Sequence, residues 1–117
     1  DGGDNRVYVF GGDVRCRELY SGTFLGVAGT LTAKVVVGSS GSNCCLIARR
    51  IVAEAVFERG HSFECDAIEA VLKVSEHDML DASEDIASIV SAEFMHEEEL
   101  QTDALIEAIS AGRPWRR

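Results

Sequence analysis

Val35-Val-Val-Gly-Ser-Ser-Gly-Ser-Asn-Cys-Cys-Leu-Ile-Ala-Arg-Arg-Ile-Val-Ala-Glu-Ala-Val-Phe-Glu-Arg-Gly60 is the stretch on which the fold turns. A short apolar run leads into a Gly/Ser loop, and residues 43–59 then carry an uninterrupted pattern closed by Gly60. Cys44, Ile47, Ala48, Ile51, Val52, Ala55 and Val56 recur at the i, i+3, i+4, i+7, i+8 spacing that lines one stripe of a 3.6-residue helix. Ser42 or Asn43 is placed to cap the first amides, and Gly60 to end the helix in a left-handed conformation. The spacing therefore predicts a central helix against which the other segments pack.

Outward from that stretch, residues 6–10 (Arg-Val-Tyr-Val-Phe) are β-branched and aromatic, are followed by Gly11 and Gly12, and read as a short strand. Residues 13–37 are ambiguous. Val14, Leu19, Phe24, Val27, Ala28 and Leu31 fit a loose helical period that Asp13 could cap, but Gly22, Gly26 and Gly29 each cost about 1 kcal/mol inside a helix. Residues 30–37 would pass equally as a buried strand. Beyond Gly60, residues 63–74 repeat a helical pattern through Ala67, Ala70, Val71 and Val74, and Asp81 with Glu84 imitates a capping box. Ile86, Ile89, Val90 and Phe94 continue it, and a final helix through Leu105, Ala108 and Ile109 ends near Gly112, before Pro114.

The expectation is one mainly α domain over residues 1–117, a compact helical body of four to five helices with a short N-terminal strand or hairpin. Residues 1–5 and 113–117 are read as flexible ends, with Trp115 able to dock back on the body. The alternative is a small α/β domain built on a Gly-rich strand-loop-helix unit. No internal repeat is evident.

Charge is segregated along the chain. Residues 1–60 hold seven Lys/Arg and six Asp/Glu, residues 61–112 one Lys and fourteen Asp/Glu, and the last five residues three Arg, for a net charge of −9. So acidic a second half repels phosphate, which excludes a nucleic-acid partner and favours a solvated surface or the docking of a basic protein on residues 61–112. The longest weakly charged apolar stretch, residues 19–33, is broken by glycines and too short for a membrane span. Cys16, Cys44, Cys45 and Cys65 contain no C-x-x-C pair and read as buried free thiols of a reducing compartment, cytoplasm or organelle stroma or matrix.

For ligand chemistry the sequence offers one place, the loop Gly38, Ser39, Ser40, Gly41, Ser42 and Asn43. Free amides at a helix start attract phosphate, although neither the P-loop nor the dinucleotide spacing is present. His61, His77 and His96 form no metal-ligand pattern, and the carboxylate runs at Glu84-Asp85 and Glu97-Glu98-Glu99 lie in polar sequence unsuited to a tuned general acid. Neither a catalytic residue, a metal site nor a cofactor is assigned.

Residues 26–38 (Gly-Val-Ala-Gly-Thr-Leu-Thr-Ala-Lys-Val-Val-Val-Gly), the Gly/Ser loop, Ile47-Ala-Arg-Arg-Ile-Val52 and Glu58-Arg-Gly60 together resemble the helical C-terminal part of the peptidase domain of FtsH-type AAA+ zinc metallopeptidases. The chain lacks H-E-x-x-H and the Asp that serves as third zinc ligand in that family, so the family's catalytic residues have no counterparts here. The resemblance implies a peptidase-like body without its metal site, acting as a non-catalytic structural or protein-interaction subunit of a larger assembly. A phosphate-binding α/β domain and a fragment of an active zinc peptidase are the alternatives.

Overall fold

Residues 24–39 and 45–59 each run as strand from end to end, and each pairs in parallel with the strand that comes next in the chain. A parallel neighbour reached through a link of a few residues requires the strand itself to wind round, because a crossover between flat strands takes a dozen residues or more. The computed structural model, which describes residues 7–22, 24–39, 45–60, 62–76 and 82–117, is accordingly a β-solenoid. Its first coil is made of three short strands, β1 (Val7–Phe10), β2 (Val14–Arg15) and β3 (Glu18–Ser21). β4 (Phe24–Ser39), β5 (Cys45–Arg59) and β6 (Ser62–Ser75) form one coil each. The sheet order runs from β1, β2 and β3, all paired to β4, through β5 to β6.

The ladder shows where each coil bends. Pairing skips from Ala48–Cys65 to Arg50–Ala67, and again from Ala53–Ala70 to Ala55–Leu72, so β5 and β6 have three straight sides joined by two corners. At each corner the alternation of inward and outward side chains slips by one. On β5 the inward residues are therefore Leu46 and Ala48, then Ile51 and Ala53, then Val56 and Glu58. Stacking at constant register turns these into columns through the coils. Leu25, Leu46 and Phe63 form one; Val14, Leu31, Ile51 and Ile68 another; Cys16, Ala33, Ala53 and Ala70 a third. These columns fill the solenoid interior.

A second core lies outside the third side. There Val35 and Val37 of β4, Ala55 and Phe57 of β5, and Leu72 and Val74 of β6 point outward and are nonetheless buried. They are covered by the C-terminal segment: α1 (Ile86–Ile89), a 3-10 turn (Ala92–Phe94), the hairpin β7 (Met95–His96) and β8 (Glu99–Leu100), and α2 (Thr102–Ser110). Val90, Phe94, Leu105, Ile106, Ala108, Ile109 and Trp115 are the buried side chains of that cover.

The compact helical domain of four to five helices is thus corrected. The described residues contain two α-helices, both after residue 85, and the described parts of the central stretch, residues 35–39 and 45–59, are strand. The reason is geometric. Ala48 and Ile51 face inward while Ala55 faces outward under the C-terminal cover, so three residues buried on two different surfaces fall at the spacings of three and four that a helix would give. Gly60 does have a positive φ of 88°, but it turns β5 into β6 instead of ending a helix. Val71, read as part of the apolar stripe of residues 63–74, lies at a corner and is exposed. Of the strand expected at residues 6–10 the structure describes Val7–Phe10 as strand, and the last helix stands where the sequence put it.

Two local features lead to tests. A Cβ added at Gly29 would collide with Asp13 Oδ1 and stand 3.2 Å from the Gly12 carbonyl carbon. That carboxylate accepts a 2.8 Å hydrogen bond from the Thr30 amide and so holds the first corner of coil two against coil one. Gly29→Ala is expected to cost about 1–3 kcal/mol in urea unfolding, because Asp13 must leave that amide. The β7–β8 turn places Glu97 and Glu98 at φ 51° and 71°, as the type I′ hairpin demands and as a side chain resists. Replacing them together, Glu97→Asn with Glu98→Gly, is expected to raise stability by about 1 kcal/mol, read as a higher melting temperature.

Candidate interaction surface

The three sides of the solenoid meet solvent differently. The third is covered by the C-terminal segment. The second presents Arg15, Thr32, Val52 and Glu69 in one outward column, and Arg50 at its corner forms an ion pair with Glu69. On the first side the outward column is Val9, Gly26, Ile47 and Glu64, and Val9 and Ile47 are 73% and 37% exposed. Gly26 has no side chain to fill the space between them, so the column dips at its centre. At the adjoining corner a shallow groove is lined by Val27, Ala28, Ile47, Arg49, Phe63 and Asp66.

The first coil exposes apolar side chains in two other columns, Phe10 at the end of the inward column of Val27, Ala48 and Cys65, and Tyr20 at the end of the third-side column of Val37, Phe57 and Val74. Phe10 is 46% and Tyr20 58% exposed, and together with Val9 they are three of the five large hydrophobic side chains that stand out among the described residues. Tyr20 Oη also lies 3.4 Å from Ser110 Oγ, so the first coil reaches the end of α2. Isolated exposed apolar residues are ordinary on a protein surface, but their concentration on one coil marks a place where surface is available to a partner.

Burial is also graded along the solenoid axis. In the two middle coils the inward residues Leu25, Val27, Leu31, Val36, Leu46, Ala48, Ile51 and Val56 are buried. At one end Val14, Cys16 and Leu19 are half-buried, and at the other Phe63, Cys65, Ile68 and Ala70 are likewise half-buried. Both mouths of the apolar interior therefore retain accessible surface. On the third side the β6 edge is engaged by Ser83, whose amide donates to the Lys73 carbonyl at 2.9 Å and whose Oγ accepts from the Lys73 amide at 3.0 Å. Arg59 ties the end of β5 to Glu76 at 2.9 Å and to Asp103 of α2 at 2.7 Å, and the hydrogen bond to Asp103 leads the effects that raise its pKa.

The residues singled out in the sequence fall elsewhere. Gly38 and Ser39 are the last two residues of β4, paired in the ladder with Glu58 and Arg59, and the loop leads into the strand β5, so the helix dipole expected to attract phosphate is not there. Ser40, Gly41, Ser42 and Asn43 lie outside the described residues, as do Cys44, His61 and His77. His96 is exposed in the β7–β8 hairpin. Residues 26–38 and 47–52, on which the resemblance to metallopeptidase helices is based, lie in the strands β4 and β5.

Cys16, Cys45 and Cys65 are free thiols, and burial is the main cause that raises the pKa of each. For Cys65 the rise is from 9.0 to about 11. A thiol with that value is protonated near neutrality and is a poor nucleophile. The raised value stabilises the fold fully below the ordinary thiol pKa and is lost as pH climbs through about 11. Wild-type stability is thus expected to fall more steeply between those limits than that of Cys65→Ala, in urea titrations at successive pH values. Parallel curves would refute it.

Sequence reasoning missed the surface because exposure of Val9, Phe10 and Tyr20 depends on coil position alone. The available signal was the recurrence of small and branched residues at the coil period, as in Cys16, Ala33, Ala53 and Ala70. No helix among the described residues is long and apolar enough to cross a membrane. Comparison of the chain with protein-family models, with curated proteins and with solved structures returns no match.

Proposed function

We propose that this chain is a non-catalytic structural and protein-interaction subunit, a short solenoid whose first coil is its binding surface. The observation that carries the reading is the exposure of Val9, Phe10 and Tyr20 on strands of the first coil that, among the described residues, pair along one edge, with β4. Stacked-repeat proteins bury a continuous core and offer long regular faces to other macromolecules, and an unpaired strand edge adds backbone hydrogen bonds to such a contact. The C-terminal segment fits the same role, since it closes the third side and leaves the first and second sides available.

Affinity isolation of the chain from its source tests this. A stoichiometric protein partner is expected, retained by the wild type and lost by Phe10→Asp, while far-UV circular dichroism shows the variant folded. Recovery of the tagged chain with neither another protein nor an untagged second copy of itself, or a partner indifferent to substitutions on the first coil, would refute the proposal.

A further inference from the structure

The two ends of the solenoid are complementary to each other, and the geometry points to a second copy of this chain as the occupant: copies stack head to tail, the first coil of one on the β6 coil of the next. This rests on the interaction role proposed above and names the partner.

Three observations carry it. The coils repeat at a fixed offset of 17 residues at both ends, Val7 against Phe24 and Cys45 against Ser62, so an incoming first coil continues the ladder of β6 in the same register as it continues its own. The interior columns also match at the junction. Ile68 would receive the incoming Val14, and Ala70 the incoming Cys16, side chains that are half-buried at the two open mouths. Charge agrees as well: in the outward column of the second side, Arg15 of the incoming coil falls beside Glu69, with Arg17 nearby, and residues 61–112 carry the excess of negative charge that residues 1–60 lack. Unpaired strand edges associate unless they are blocked. Here Ser83 engages β6 on the third side, and the matched columns of Val14, Arg15 and Cys16 place the contact along the second side. Such a contact joins unlike surfaces and does not close on itself, which yields linear arrays instead of a dimer.

Sedimentation velocity of the purified 117-residue chain over a concentration series up to about 1 mM tests the stacking. The expected result is growth through successive multiples of one chain mass. Arg15→Glu and Glu69→Arg are each expected to move the midpoint of association about threefold higher, and the double exchange to restore it. Glu69→Arg also loses the internal pair with Arg50, so the restoration in the double variant is the decisive reading. Both residues are exposed, and circular dichroism checks that each variant folds. A monomer at every concentration would overturn the stacking. So would assembly that stops at two chains or that the charge exchange leaves unrestored. If stacking fails while a different protein is still captured through Phe10, the wider interaction role survives and only the identity of the partner is wrong.

Discussion

Trp115→Ala is expected to lower stability by about 3–5 kcal/mol and the melting temperature by about 10–20 °C. The residue lies near the C-terminus, yet it is 4% exposed and belongs to the core on the third side of the solenoid. Its indole Nε1–H donates to Glu54 Oε1 at 3.2 Å, and its carbonyl accepts from the Ser91 amide at 2.8 Å. The next residue pairs with Val90, and the Arg117 amide donates to the Ile89 carbonyl at 2.9 Å. The last strand-like segment therefore clips α1 and the 3-10 turn onto the sheet, and removing the ring opens a cavity above outward residues such as Phe57. Trp115→Phe keeps most of the apolar volume and loses the hydrogen bond, so its cost should be nearer about 1 kcal/mol. A melting temperature unchanged in Trp115→Ala would show that the C-terminal segment does not stabilise the solenoid.

That dependence also explains what the sequence could and could not tell. A strand with one face in the core reads as strict alternation, but the third side of this solenoid is buried on both faces, so Val35, Val36 and Val37 form a continuous apolar run. Corners insert an extra step between inward pairs, and the mean inward spacing becomes about two and a half residues, between the strand and helix periods. The 17-residue period is hidden in turn, because the link after β4 lengthens the second coil and displaces everything after it by three or four residues. What could be read were features that depend on near neighbours alone: the aromatic and β-branched β1, the positive φ of Gly60, and α2 between its flanking loop and Gly112. Asp13 is instructive. By sequence its carboxylate is placed to receive backbone amides at a helix start, and it does receive one, but from Thr30 in the next coil. The chemistry was legible and the partner was not.

Glu58→Ala is expected to cost about 3–5 kcal/mol, comparable to deleting a large core side chain, although it removes a charged residue. Glu58 is fully buried in the sixth inward column, level with Ser21, Gly38 and Ser75. Its Oε1 accepts from Ser75 Oγ–H at 2.6 Å and its Oε2 from the Gly60 amide at 2.5 Å, while its carbonyl accepts from the Glu76 amide at 3.0 Å. One residue thus fixes the left-handed turn at Gly60 and the end of β6. Truncation takes this acceptor from the Gly60 amide and the Ser75 hydroxyl, both half-buried, and a donor that loses its acceptor is costly. Glu58→Gln retains an acceptor oxygen at the same reach and should lose about half as much. Pairing Glu58→Leu with Ser75→Ala removes donor and acceptor together, so the double variant should be less destabilised than the sum of its parts by about 1 kcal/mol. Urea unfolding of these variants at neutral pH measures all of the effects. If Glu58→Ala falls within about 1 kcal/mol of wild type, the carboxylate does not hold the β5–β6 corner, and the turn must owe its geometry to Gly60 alone.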